Sequence, residues 1–334
     1  KSLGNGMDPY EIMDKYGADL LRLWAASADY HADVRCSDAI FKQLSQNYLK
    51  FRNTARYCLG NLDGFDPDQM VSPEDMEELD RWAITRLNAL ITRCFKAYDD
   101  YEFLVVTHAV NDFCVVDMSN FYLDIIKDRL YCEEPDGRKR RSAQTALFLI
   151  LDTMTKIMAP ILAYTCDEIW QSMAHRSSDD SRNVVFNDMN QPFTDYALPE
   201  DAMEKWALVE KLRDDVNAVL ETARAQKKIG KALEAHVALH AADDETAKVL
   251  MRVAGLNLAE LFIVSECSIS NADPAADSVV GQGTAFPGLT VEVREATGAK
   301  CERCWMQSAT VGDDADHPTL CARCAAVVRN LPQF

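Results

Sequence analysis

Hydrophobic residues recur every three or four positions through most of the first 230 residues, the spacing of helices that bury one face. Three starts carry cap signals: Asp8 precedes Pro9, Ser37 precedes the second run, and Ser72 precedes Pro73 at the third. Pro160 should kink or divide the helix predicted over 138–173, because proline lacks the amide hydrogen that each interior residue of a helix donates. The spacing predicts helices over 9–24, 37–59, 72–95, 103–130, 138–173 and 201–227.

The pattern changes after Gly230, where apolar and polar residues alternate as in half-buried β-strands. Strands are predicted at 233–239, 261–264 and 289–293, with a short helix at 244–254. The fold class predicted from these patterns is mainly α, a helical bundle followed by a small α+β unit.

Composition limits the classes of protein that this chain can be. Its 334 residues suggest two or three domains. No apolar run reaches the roughly 18 residues of a membrane span, so no membrane partner is expected. The net charge of −18 disfavours nonspecific binding to nucleic acid, because phosphate affinity comes mainly from Lys and Arg. Any nucleic-acid interface must therefore be locally basic.

The chain begins Lys1-Ser2-Leu3-Gly4-Asn5, without an initiator Met and without the layout of a signal peptide. We therefore expect a fragment of a longer cytoplasmic protein. Seven of the eleven cysteines are scattered mainly through apolar helical patterns, where a free thiol behaves as a small hydrophobe, and this distribution argues against a secreted disulfide scaffold.

The other four cysteines form two C-x-x-C pairs, Cys301 with Cys304 and Cys321 with Cys324. Two residues between thiolates let a tight turn aim both sulfurs at one ion, and a second turn completes a tetrahedral S4 site. The spacing predicts one structural zinc ion, closed to substrate. Two redox pairs are the alternative interpretation, and His317 is a competing ligand that is better explained as a loop histidine.

The same residues carry a family resemblance. Lys1–Asn5 resembles the end of the K-M-S-K-S-x-G-N signature of class I aminoacyl-tRNA synthetases, and 17–24 resembles their G-A-D-x-L-R-x-W stretch. Matches continue in order toward the C-terminus, and together they resemble the isoleucyl branch of the family. They are 51–56, 61–65, 121–131, 159–162, 167–170 and 301–305.

The resemblance implies a division of the chain into four parts. Residues 1–36 would be the end of the catalytic signature loop and a connecting helical segment, and 37–200 a helical anticodon-binding domain. Residues 201–295 would hold a long helix and a small α+β junction domain, and 296–334 a zinc ribbon. Lys1 would be the ATP-binding remnant of the signature loop.

The implied function is tRNA recognition within a ligase that uses ATP to attach isoleucine to its tRNA. ATP and magnesium would serve only the full-length enzyme, whose catalytic and editing domains would be missing partners in the same chain. This chain alone is predicted to be monomeric, to bind isoleucine tRNA and zinc, and to be catalytically inactive.

Three basic groups are candidates for tRNA contact. Lys50, Arg52 and Arg56 recur at roughly one face of the second helix. A second group follows the last long helix, and a third decorates the ribbon. The second group is Lys227, Lys228 and Lys231, and the third is Arg303, Trp305 and Arg323.

Each group has an ordinary alternative interpretation. A charged run can be a solvated face, and Trp305 could pack the ribbon against the α+β unit instead of stacking on a base. A module for protein–protein contacts is the alternative function, which the acidic surface favours. A stand-alone metalloenzyme is excluded, because the metal site is closed and the six histidines lack ligand or triad spacing.

Overall fold

The computed structural model describes residues 7–331, which divide into two compact units. The first unit contains 7–124 and 138–198. The second contains 199–331 and the short segment 125–137. Among the described residues, no helix is long and apolar enough to cross a lipid bilayer.

The first unit is helical. Asp8 and Ser37 cap their helices through their side chains, as the sequence predicts. One helix ends at Met158 and the next begins at Ala163, on the two sides of Pro160. This interruption of the helix confirms the predicted division. Its helices are α1 (Pro9–Tyr16), α2 (Ala18–Ser27), α3 (Asp38–Asn61), α4 (Glu78–Asp99), α5 (Phe103–Asp112), the π-helical stretch Phe113–Tyr122, α6 (Leu123–Ile125), α8 (Arg138–Met158) and α9 (Ala163–Ser172). The short helix α7 (Lys127–Cys132) belongs to the second unit.

Two of the predicted helices differ in their limits. The first run is two helices, because Gly17 adopts a left-handed φ of 86° between them. The helix expected from Ser72 begins only at Glu78. Ser72 instead donates to Asp75 within a turn, and the local hydrogen bond competes with helix initiation there.

The core of the first unit is lined by α4 and α8, whose apolar faces contain Trp82 and Phe148, both almost completely buried. Buried carboxylates in this core have partners. Asp80 accepts from Tyr122 at 2.7 Å and from Ser142. Asp152 contacts Lys156 at 3.0 Å. Pairing of this kind offsets the cost of removing a charge from water.

In the part of the chain that the structure describes, the second unit contains one long helix, three shorter helices after it, and six strands. Its elements are α10 (Glu200–Ala225), β1 (Ala235–Ala241), α11 (Asp244–Val253), α12 (Leu258–Phe262), β2 (Glu266–Ile269), β3 (Val279–Gln282), β4 (Leu289–Glu295), β5 (Ala299–Lys300), β6 (Gln307–Ser308) and α13 (Ala322–Asn330). The long helix α10 packs on a mixed four-stranded sheet of order β2-β1-β4-β3. β1 runs parallel to β2 and antiparallel to β4, with Val237 opposite Val293.

Close packing of α10 on the sheet needs a glycine. A Cβ at Gly281 of β3 would lie 2.6 Å from a methyl carbon of Val219 on α10. The prediction of a strand at 261–264 is wrong, because these residues end α12, and Ile263 closes it with φ of 57°. The strand begins further along the chain, at Glu266.

Asp215 ties α10 to the turn between β3 and β4. Its buried carboxylate accepts backbone N–H groups of Thr284, Ala285 and Phe286 at 2.7, 3.0 and 3.1 Å. One side chain therefore satisfies three consecutive amide donors that would otherwise lack partners.

We predict that Asp215→Ala destabilises the second unit by about 2–4 kcal/mol, since hydrogen bonds to a charged group contribute about 1.5–3 kcal/mol each and are not additive. Hydrogen exchange at the amides of residues 284–286 should accelerate accordingly. Asp214→Ala, at an exposed neighbouring position on α10, is the control. Equal exchange in the two variants would contradict the role assigned to Asp215.

Candidate metal centre and adjoining surface

The four ribbon cysteines converge on one point. Their sulfur atoms all lie within 4.8 Å of one another, and all four residues are buried. The Sγ atoms of Cys304 and Cys321 are 3.9 Å apart, close to the roughly 3.8 Å between ligands of a tetrahedral ion at about 2.3 Å. His317 does not belong to this group of described residues.

Local structure aims the sulfurs. Cys301 and Cys304 flank a tight turn. Cys321 is the N-cap of α13, and Cys324 lies in the first turn of that helix. The N-terminus of a helix favours negative charge, which a pair of thiolates supplies.

The ligand thiols differ in how readily they ionise. Burial opposes ionisation of Cys301, but backbone N–H groups of Cys304, Cys321 and Arg303 outweigh it and lower the pKa of this thiol to about 6. Burial raises the pKa of Cys324 to about 11. Buried thiols of the second kind ionise when a cation compensates them, so the set of donors fits Zn²⁺.

A fifth cysteine lies beside the site. Cys132 of α7 is buried in the same cluster, and its thiol points to the carbonyl oxygen of Arg303 at 3.9 Å. Burial raises the pKa of Cys132 to about 12, and this sulfur is outside the group of four. Cys132 therefore packs against the site without completing it.

The segment 125–137, which we call the docking segment, meets both cysteine turns. Arg303 donates to the carbonyl oxygen of Cys132 at 2.5 Å and lies 3.8 Å from the sulfur of Cys324. Arg323 forms a two-pronged pair with Asp128 at 2.5 and 2.7 Å. This pair raises the pKa of the Arg323 guanidinium, so the group stays charged.

Trp305 lies on the surface next to the metal site. Its side chain is 55% exposed, and its backbone is left-handed with φ of 66°. The ammonium groups of Lys231 and Lys300 lie over the indole ring at 5.3 and 5.7 Å from its centre. We call these three residues the Trp305 platform. The alternative, that Trp305 packs the ribbon, does not match this exposure.

The basic turn after α10 joins this platform. Lys227, Lys228 and Lys231 are all exposed, and Lys227 has φ of 58° where the helix has just ended. Cations at this position also stabilise the negative end of a helix, which is their structural role. Through Lys231 the turn is continuous with Trp305.

The first predicted group, on α3, is split by helix geometry. Lys50, Arg52 and Arg56 are exposed on α3. A helix turns about 100° per residue, so Lys50 and Arg52 point about 160° apart, and the prediction of one face is wrong for Lys50. Arg52 and Arg56 share a face. The predicted ATP-binding residue, Lys1, lies outside the described residues.

Three family models match this chain. The model described as "Anticodon-binding domain of tRNA ligase" matches residues 80–239. The model described as "Zinc finger found in FPG and IleRS" matches 298–327, which contain all four cysteines. The model described as "tRNA synthetases class I (I, L, M and V)" matches 1–37. Together with the geometry, the second match shows that the four cysteines hold one structural zinc ion.

Curated relatives match almost the whole chain. The isoleucine–tRNA ligase of Syntrophotalea carbinolica is 46% identical over 329 residues, which are 98% of this chain and 34% of that protein. That of Caldanaerobacter subterraneus subsp. tengcongensis is 45% identical, over 98% of this chain and 34% of the relative. That of Moorella thermoacetica is 45% identical, over 99% and 35%. The chain thus spans about a third of the length of the curated relatives it matches.

We predict that Cys324→Ser lowers bound zinc from one equivalent per chain to near zero in dialysis against a chelator, because three thiolates do not close the S4 site. Cys132→Ser is the matched control, a buried cysteine in the same cluster, and should retain one equivalent. Elemental analysis by mass spectrometry measures both. Equal loss of metal from the two variants would show that Cys132 is a ligand.

Proposed function

The chain belongs to the isoleucine–tRNA ligase family, and from this premise we propose that its described residues are the part of such an enzyme that recognises tRNA. The longer protein would use ATP to join isoleucine to its tRNA, with magnesium as the metal of that reaction. The catalytic and editing domains of the same enzyme would be the partners of this chain. We propose further that the chain is monomeric and acts in the cytoplasm.

The observation that carries the proposal is the Trp305 platform. A left-handed backbone costs a non-glycine residue about 1–3 kcal/mol, and the structure accepts this cost while more than half of the indole stays exposed to water. A flat aromatic face that holds two cations suits a ligand with a π-face and a negative backbone. An unpaired nucleotide of RNA has both, since its base stacks and its phosphate attracts lysine.

The basic turn extends this surface. In a protein with net charge −18, phosphate affinity depends on local clusters of cations. Lys227 and Lys228 lie four and three residues before Lys231 and are exposed beside it in the chain. We assign them to the phosphates that flank the stacked base.

The first unit carries its own group of exposed cations, which we propose as a separate contact with tRNA. The match to an anticodon-binding model begins at Asp80 and extends from α4 to β1. Arg52 and Arg56 precede the matched residues, and we assign them to the anticodon stem because both are exposed on one face of α3. Lys50, on another side of the helix, is the candidate that this arrangement supports least.

We predict that Trp305→Ala weakens binding of isoleucine-accepting tRNA by about five- to a hundredfold, because stacking of a base on an aromatic ring contributes roughly 1–3 kcal/mol. Fluorescence anisotropy of labelled tRNA with the zinc-loaded chain measures the affinity. Phe186→Ala is the control, since Phe186 is 60% exposed in the first unit. An affinity unchanged by Trp305→Ala would exclude the platform from the interface.

The same titration at two salt concentrations separates this function from protein–protein contact. Binding that depends on phosphate contacts must weaken as salt rises, by about one power of the salt concentration for each phosphate that the protein neutralises. A module for protein contacts would show no salt-dependent affinity for tRNA. Removing zinc with a chelator should weaken binding as much as Trp305→Ala or more, because the ribbon depends on its metal.

We predict that the chain alone catalyses no isoleucine-dependent exchange between ATP and pyrophosphate. The described residues form a small mixed sheet with a single parallel pair of strands, which is not the doubly wound parallel sheet that binds nucleotides in α/β enzymes. Exchange above a blank without enzyme, abolished by Lys1→Ala, would overturn this prediction.

A further inference from the structure

The two cysteine turns share a feature beyond their ligands. Each has an arginine immediately before its second cysteine, Arg303 in the first turn and Arg323 in the second. Both side chains reach the docking segment, although it lies more than 160 residues earlier in the chain. We infer that the docking segment positions the Trp305 platform, with Arg303, Arg323 and Asp128 as positioning residues, and this inference rests on the proposed tRNA interface.

Arg303 connects three parts of the second unit. Its guanidinium donates to the carbonyl oxygens of Cys132 and Tyr131 at 2.5 and 3.4 Å, and it lies 3.8 Å from the sulfur of Cys324. Its own carbonyl oxygen accepts from the Cys132 thiol. A single residue thus contacts the docking segment with its backbone and side chain while it touches a zinc ligand from the other turn.

Arg323 is the second anchor. Its two-pronged pair with Asp128 has the fork geometry that fixes direction as well as distance. Glu133 lies 3.7 Å from the same guanidinium and adds to the negative field around it. Because the first turn of α13 carries Arg323 between two of the zinc ligands, the orientation of the metal site follows the docking segment.

The docking segment is itself held in place. Arg129 pairs with Glu260 of α12 at 2.5 Å, and both side chains are at most 15% exposed. Glu134 accepts from Asn330, the last residue of α13, at 2.7 Å. A desolvated pair of charges is strongly constraining, because losing either partner leaves a buried charge uncompensated.

The platform needs this support because Trp305 has little of its own. Its amide donates to the carbonyl oxygen of Cys301 at 2.9 Å, and its ring is over half exposed. The direction of the ring is therefore set by the turn that Arg303 fixes. A binding group contributes its full affinity only when neighbouring residues hold it within about 0.5 Å of the geometry that binds the ligand.

The experiment that tests the inference is Asp128→Asn, which keeps the shape of the side chain and removes its charge. The two roles open to Arg323 predict opposite signs. If Arg323 contacted tRNA phosphates directly, neutralising Asp128 would free it and remove a repulsive charge, so tRNA would bind as tightly or more tightly. If the pair positions the platform, tRNA affinity should fall about three- to tenfold.

Two further variants make the result specific. Glu302→Gln removes the same charge from an exposed position within the first cysteine turn, and affinity should be unchanged or slightly higher. In a Trp305→Ala background, Asp128→Asn should weaken binding less than it does alone, because the indole through which much of its effect passes is already removed.

A readout without tRNA separates this inference from the proposed function. Asp128→Asn should accelerate hydrogen exchange at the amides of 301–306 while zinc stays at one equivalent, and Glu302→Gln should not. Unchanged exchange, tighter tRNA binding by Asp128→Asn, or additive effects with Trp305→Ala would each overturn the inference. If the chain without substitutions binds no tRNA, the proposed function fails. Faster exchange at 301–306 in Asp128→Asn would still show that the docking segment holds the first cysteine turn.

Discussion

Four thiolates that share one zinc ion are the constraint on which the C-terminal part of the structure depends. The ribbon contains two-residue strands and a single nine-residue helix, and its buried cluster consists largely of the ligands themselves. A core of this size does not offset the entropy of ordering the chain, so the metal supplies the difference. The exposed Trp305 directly follows a cysteine turn whose folding depends on the ion.

Charge in this molecule is organised locally. The chain is strongly acidic overall, and many of its arginines are engaged by its own carboxylates or carbonyl groups, including Arg129, Arg303 and Arg323. The exposed cations of the second unit that matter most are lysines, which keep a compact charge on a flexible stem. Rigid arginine forks serve the architecture, and mobile lysines face solvent. This division suits a surface that must meet a phosphate backbone without a fixed geometry for each phosphate.

Much of this fold can be predicted from the sequence, because periodic burial and ligand spacing are local properties. The helices around Ser37 and Pro160, the long helix α10 and the metal site all follow from residues near in sequence. The prediction of a strand at 261–264 is wrong because an apolar run of that length fits a buried helix end as well as a strand. The prediction that Lys50 and Arg52 share a face is wrong because residues two positions apart on a helix point in nearly opposite directions.

No local pattern of burial or ligand spacing in the sequence predicts the role of the docking segment. In the sequence, Cys132 resembles the other scattered thiols, and Asp128 resembles an ordinary helical carboxylate. What distinguishes them is contact with residues far along the chain, and a single sequence does not encode such contact in any pattern of spacing. For the same reason the arginines between the cysteines look like contacts for RNA, although their partners lie inside the chain.

The placement of the docking segment also has a consequence for the order in which the molecule folds. Its residues leave a ribosome well before those of the ribbon, yet the second unit includes both. Contacts of such sequence separation form slowly, because the intervening chain must be closed into a loop before they contribute. During synthesis, residues 125–137 therefore lack their partners in the ribbon, and the Cys132 thiol stays unburied, until the ribbon has emerged. Capture of zinc by the ribbon, which emerges later, then closes the second unit.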